Sequence, residues 1–198
     1  MTIRLALVGF LTSALVGTVY VLTLPAIESA REVARQALLR EVSAPLLDDG
    51  QLGPSVEIQW HPDAPDALSF NPIVTPILAG QTTVGFILPL RTTEGYSGAI
   101  DLLLAIDANA RIVGLRTLMH RETPGLGDSI ELSKSDWILG FDGLAFSDLA
   151  PSDWTVKKDG GYFDSFTGAT ITPRAVIDAV AVSLAYLEQK PTEVFDAL

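Results

Sequence analysis

Cysteine is missing altogether from the 198 residues. Its absence excludes thiolate-held iron–sulfur clusters, thioether-linked haem, redox disulfides and cysteine-based zinc sites. Histidine is scarce, with only His61 and His120, so no metal site is expected. Basic side chains are few: 13 against 24 acidic ones, for a net charge of −11. With Arg4 set aside, residues 25–198 hold 12 basic and 24 acidic groups. No basic stripe interleaves with aromatics, which removes the footprint of a nucleic-acid binder. The same acidity leaves no electrostatic hold on anionic lipid. If this protein moves electrons, an organic cofactor has to carry them.

Charge is also absent from Leu5 to Leu24. As a helix, those twenty residues span about 30 Å, the thickness of a bilayer's hydrocarbon core. Tyr20 stands near the far end, where an aromatic suits the interface, and Pro25 follows the run. A cleaved signal peptide is the competing reading. It would carry an apolar stretch of about 7–15 residues and a small-x-small cleavage site, which Pro25 to Ala30 matches poorly. An uncleaved anchor over residues 1–25 is therefore the expectation. Basic residues alone do not orient it, since Arg4 faces a mixed set of Glu28, Arg31, Glu32, Arg35, Arg40 and Glu41. A short tail, one span and a large following domain is nonetheless the signal-anchor layout. It puts the domain in the periplasm of a bacterial inner membrane.

Residues 26–43 space Ile27, Ala30, Val33, Ala34, Ala37, Leu38 and Val42 as one face of an amphipathic helix, continuing after a kink at Pro25. Leu46 to Asn71 is rich in Pro, Asp and Gly and reads as mostly irregular, with a short strand at Val56–Trp60. From Ile73 to His120 the pattern is β, with strands at Thr83–Leu90 and Ala99–Ile106 and a hairpin partner at Arg111–Met119 after the turn at 107–110. A helix is expected to begin between Gly127 and Ser135, with Asp128 near its cap. Trp137, Ile138, Phe141 and Leu144 read as core anchors. Val156–Lys158 reads as a short edge strand. Pro173–Gln189 is the clearest helix, its apolar face formed by Val176, Ile177, Val180, Leu184 and Leu187. The fold class is α+β: an antiparallel sheet with flanking helices behind one membrane helix. The division is an anchor (1–25), a helical stem with the first part of the domain (26–94), and a core (95–198).

Two segments carry the chemistry. Asp164-Ser165-Phe166-Thr167-Gly168-Ala169-Thr170 places a hydroxyl on a Gly/Ala-narrowed turn just ahead of a helix. Free N–H groups and the dipole at a helix N-terminus suit a phosphate. The same residues also read as nothing more than a turn before Thr172-Pro173, an N-cap with proline at the first helical position. The second segment is His120-Arg121-Glu122-Thr123-Pro124-Gly125-Leu126-Gly127-Asp128, whose glycines let backbone approach a flat ligand. By itself it reads equally as a plain loop.

Together, and with Gly95-Tyr96-Ser97-Gly98 ahead of them, these segments resemble the G subunit of the Rnf ion-translocating electron-transport complex. More distantly they resemble the C subunit of the sodium-pumping quinone reductase. The likeness runs from about Gly95 to Val180, plus the anchor. The wording ETPGLGD and FTGATITPRAV and the compact length favour the Rnf member. The resemblance implies an FMN-binding domain with FMN joined through its phosphate to Thr170, in the motif Asp164, Thr167, Gly168, Ala169 and Thr170. It implies a magnesium-dependent flavin transferase, using FAD, as the maturation partner. The other subunits of the complex are implied as working partners, with electrons passing between reduced ferredoxin and NAD while Na⁺ or H⁺ moves.

On that basis Glu122, Thr123, Gly125, Leu126 and Gly127 are candidate contacts of the isoalloxazine, and Thr167, Gly168, Ala169 and Thr172 of the phosphate end. Asp164, Gly168 and Ala169 also read as recognition and access residues, with Asp164 as a plain turn-former the alternative. Lys157 and Lys158 suit a phosphate or reduced ring, or else a solvated edge. Tyr96, Trp137 and Tyr162 suit ring stacking or the core. His120 is read as structural. No catalytic set is present: nothing supplies a nucleophile, base and orienter together, which weighs against an autonomous flavoenzyme. A membrane-anchored scaffold without cofactor, and the flavin subunit of the quinone reductase, are the alternatives.

Overall fold

The computed structural model describes residues 2–47 and 50–189, which divide between Leu39 and Arg40 into two units. The first unit is helical. Helix α1 (Thr2–Val42) carries Pro25 inside it and joins the expected span and the expected amphipathic stretch in one element. Thr18 and Thr23 donate their hydroxyls to Ala14 O and Val19 O, both at 2.8 Å. Polar side chains that bond their own helix leave nothing unsatisfied, as a lipid environment requires. Among the described residues α1 alone is long and apolar enough to cross a membrane, with a mean hydropathy of 1.8 over its most apolar stretch. Of the expected amphipathic face, Ile27, Ala30, Val33, Ala34 and Ala37 are exposed, Leu38 is half-buried and Val42 is buried.

The second unit begins with the last turn of α1 and the short helix α2 (Ala44–Leu47). Among the described residues six antiparallel strands follow: β1 (Gln51–Leu52), β2 (Val56–Glu57), β3 (Ile73–Ala79), β4 (Thr82–Gly95), β5 (Gly98–Asp107) and β6 (Ile112–Met119), with the single-turn helix α3 (Asp66–Ser69) between β2 and β3. The sheet order is β1-β3-β4-β5-β6, and β2 also pairs with β3. Leu88 pairs with Leu104, and Leu104 with Leu115, so the middle of the sheet is aliphatic on three adjacent strands.

Strand alternation sorts these residues onto two faces. Phe86, Leu88, Leu90, Leu102, Leu104 and Ile106 join one core with helix α4 (Ile171–Gln189), whose Val176, Ile177, Val180, Leu184 and Leu187 are fully buried as their 3.6-residue spacing predicts. The other face is approached by residues 41–47. Arg116 Nε donates to Glu41 Oε1 at 2.7 Å, and a side chain at Gly114 would strike Val42.

Between β6 and α4 the chain makes no α-helix. Short 3-10 turns at Gly127–Ile130, Asp136–Phe141, Phe146–Asp148, Pro151–Asp153 and Lys157–Asp159 fold it over the core. The helix expected after Gly127 is therefore only one of these turns, because Asp128 spends its side chain on the Gly125 N–H at 2.7 Å. The expected edge strand at Val156–Lys158 reduces to a single bridge, Val156 with Phe163. Of the expected anchors, Ile138 and Phe141 are fully buried, while Trp137 and Leu144 are half-buried. Aromatic stacking does the work of secondary structure here: Phe141 stacks on Phe163 at 4.4 Å, and Trp137 meets Phe141 edge-on at 5.3 Å.

Candidate functional site

The segment leading into α4 is held from several sides. Trp137 Nε1 donates to Asp164 O at 2.7 Å, and Phe166 packs edge-on to Trp137 at 5.0 Å. Lys157 Nζ grips the Asp164 carboxylate at 2.8 and 2.9 Å. The chain then turns sharply, Ala169 N donating to Phe166 O at 3.2 Å, with Gly168 at φ +82°. A positive φ at the third position of a turn is the place where glycine costs nothing. Thr170 comes next and immediately precedes α4, so it stands at the end of the helix where N–H groups lack intrahelical partners.

The helix starts two residues earlier than expected. Thr172 is therefore not the cap, and Pro173 falls third in the helix, still in the first turn where its missing N–H is not needed. The buried Thr172 turns its hydroxyl to the Glu122 carboxylate instead. Arg174, in the same turn, pairs with Asp159 at 2.6 and 2.8 Å and fixes the helix start against the preceding loop.

A cavity of about 390 Å³ opens between this helix start and the 122–127 loop. Tyr96, Glu122, Thr123, Leu126, Gly127, Gly168, Ala169, Thr170, Ile171 and Thr172 line it. Seven of the residues expected at the phosphate and ring ends thus come together around Thr170, although up to 50 positions separate them. Gly127 has a steric reason to be glycine. A Cβ there would stand 2.6 Å from Glu122 Oε2 and 2.9 Å from Thr172 Oγ1. Tyr96 and Leu126 present exposed aromatic and aliphatic surface. Among the described residues nothing hydrogen-bonds the Thr170 side chain, in contrast to Thr172.

Other expected members lie elsewhere. Gly125, at φ +77°, and Thr167 are exposed and do not line the cavity. Lys157, Trp137, Tyr162 and Asp164 border a different hollow of about 490 Å³, and Lys158 lines neither. The lysine pair is thus not at the phosphate end: Lys157 is spent on Asp164. His120 accepts from the Glu122 N–H at Nδ1 (3.0 Å), while its Nε2 lies 2.8 Å from Glu131 Oε1, a structural role as expected. That bond holds the Glu131 carboxyl below its ordinary range. Ile171 and the Ser97 N–H are site members that sequence reasoning did not single out. The clue for Ser97 was its place in the Gly95–Gly98 turn.

These features fit FMN. A helix start beside an unbonded hydroxyl suits the phosphate. A volume within the usual range of about 300–1,000 Å³ for ligand sites, with aromatic and aliphatic surface at the mouth, suits a flat ring.

Comparison with known proteins agrees. Residues 95–185 match the family described as the FMN-binding domain. The G subunit of the ion-translocating oxidoreductase complex of Pseudomonas aeruginosa is 44% identical over 164 residues, covering 81% of this chain and 74% of that one. The G subunit of the same complex from Shewanella loihica is 40% identical over 92% of this chain and 85% of its own. That of Pectobacterium atrosepticum is 38% identical over 96% and 90%. The crystal structure of Shewanella oneidensis NqrC aligns with a TM-score of 0.48 at 18% identity, covering 71% of this chain and 69% of that one. With the sequence identity to the three G subunits maintained over most of both partners, this chain belongs to the family of G subunits of the ion-translocating oxidoreductase complexes, and its second unit contains an FMN-binding domain.

Proposed function

We propose that this chain is the electron-relay subunit of an Rnf-type complex in a bacterial inner membrane, held by α1, with its domain in the periplasm and FMN attached by a phosphoester to Thr170. The observation that carries the reading is the position of Thr170. It is half-buried, next to the first turn of α4, in the wall of the cavity, with no bond to its side chain among the described residues.

Bound FMN supplies one- and two-electron transfer, which lets a single site join carriers of either kind. The protein's own residues do the holding. Backbone N–H groups of the α4 start face negative charge at the phosphate end. Gly168 and Ala169 keep the approach to the Thr170 hydroxyl narrow but open. Leu126 and Tyr96 offer surface for a ring to cover, and Gly127 allows the 122–127 loop to close on the helix. A covalent tether makes occupancy independent of free cofactor, which matters outside the cytoplasm, where dissociated FMN is lost by dilution.

Making the ester is work for a partner. A threonine hydroxyl needs a base or metal to activate it. Glu122, the carboxylate lining the cavity, has both oxygens engaged by other donors. A flavin transferase is therefore part of the proposal, as are the remaining subunits of the complex. Co-expression with such a transferase, followed by a denaturing gel viewed under ultraviolet light, tests the reading. A fluorescent band is expected from the native chain and from Thr167→Val, and none from Thr170→Val. A colourless native chain would favour a scaffold, and loss at Thr167 alone would move the attachment point.

A further inference from the structure

Glu122 lines the cavity at Thr170 although it is only 5% exposed. Burying a carboxylate is costly unless its oxygens are bonded. Both are. The Ser97 backbone N–H donates to Oε1 at 2.9 Å, and the Thr172 hydroxyl donates to Oε2. Those donors come from the β4–β5 turn and from the first turn of α4, so one side chain ties the two together. Its own backbone N–H donates to His120 Nδ1 at 3.0 Å. The other ring nitrogen, Nε2, lies 2.8 Å from Glu131 Oε1, so the imidazole is engaged by Glu131 rather than by the Glu122 carboxylate. Among the described residues no lysine or arginine forms an ion pair with Glu122. The carboxylate is thus satisfied by dipoles and left without a counter-ion. A glutamine could make as many hydrogen bonds in the same space; what glutamate adds is charge.

We propose that Glu122 sets the reduction potential of the bound flavin: its buried, unneutralised charge in the cavity wall makes the ring harder to reduce than a neutral wall would. The inference rests on the FMN reading given above. Reduction of the oxidised ring by two electrons, with uptake of one proton from water, leaves the ring with one more negative charge than before. A fixed negative charge nearby opposes that change, and burial weakens the screening by water that would otherwise mute it. Thr172 and Ser97 keep the carboxylate in place. Gly127 keeps the loop close enough for the Thr172 bond to form.

The test is a reductive titration of the full chain in detergent, matured with its transferase, using dithionite as the two-electron donor (oxidised to sulfite) and a reference dye to read the midpoint. Flavin content is first confirmed by mass. Glu122→Gln and Glu122→Ala, both neutral, are expected to move the midpoint to more positive potential. Glu122→Asp keeps the charge but shortens the arm and disturbs the same two bonds, and is expected to stay close to the native value. If Asp shifts as far as Gln, or if the flavin-loaded neutral variants titrate at the native midpoint, Glu122 acts only through packing and the proposal fails. Either neutral variant suffices should the other not mature. A native chain without flavin would instead bring down the FMN reading, and this inference with it.

Discussion

The segment from Asp164 to Thr170 borders a hollow at each end, and the two are made of different materials. At Thr170 the cavity is about 390 Å³, walled by a buried carboxylate, a helix start and two loops whose glycines permit close approach. At Asp164 the hollow is larger, about 490 Å³, but its charged residues are exposed: Asp136, and the Lys157–Asp164 ion pair with side chains 59% and 72% exposed. Size does not separate a site from a surface feature. What separates them is whether polar groups have been buried at a cost in the wall. Stability is distributed the other way. Phe141 and Phe163 stack beneath the Asp164 hollow, so that end is where the fold is pinned.

Substitutions can pull the two ends apart. Phe141→Ala removes a fully buried ring and is expected to cost about 3–5 kcal/mol, read as a lower unfolding midpoint in denaturant. A much smaller loss would mean that the 3-10 turns do not depend on the aromatic stack. Gly127→Ala forces a methyl against Glu122 and Thr172 and is expected to cost about 1–3 kcal/mol, while reducing flavin loading more than Phe141→Ala does. If loading follows global stability in both variants alike, the two ends are not functionally distinct.

Glu131 has a lowered folded pKa, chiefly because of the hydrogen bond with His120. The unfolded chain therefore binds a proton more readily than the native one. This contribution is fully present above the ordinary glutamate range and is lost as the pH falls below it, through the folded value. Glu131→Gln should flatten that part of the stability–pH curve and leave neutral pH little changed; an unaltered acid limb would contradict the assignment. The smallest effect is expected from Lys157→Ala. An ion pair this exposed is worth about 0–1 kcal/mol, and the lysine does not line the Thr170 cavity. Flavin loading should be unchanged, and a large drop would tie the Asp164 hollow to the site after all.

Elements with a clean period were legible in the sequence. The stripe of α4 announced itself because five aliphatic residues repeat at helical spacing, and β5 and β6 because their runs flank a turn at Asp107-Ala108-Asn109-Ala110. Loops between β6 and α4 were not, since stacked rings and side-chain bonds hold them and neither leaves a periodic trace. The α4 start was placed too late because Thr172-Pro173 mimics a cap, whereas Thr172 is buried against Glu122, 50 residues away. No local rule sees a partner at that distance. The motif residues placed Thr170 beside the glycine loop. Adjacency along the chain could not tell that Lys157, Trp137 and Tyr162 belong to the other hollow.

The most direct test of the central claim is the intact mass of the full chain made together with a flavin transferase, followed by fragmentation to locate any added group. The expected mass exceeds that of the bare polypeptide by one FMN less one water, with the addition on Thr170. A polypeptide of unmodified mass, or an FMN on any other residue, would contradict it.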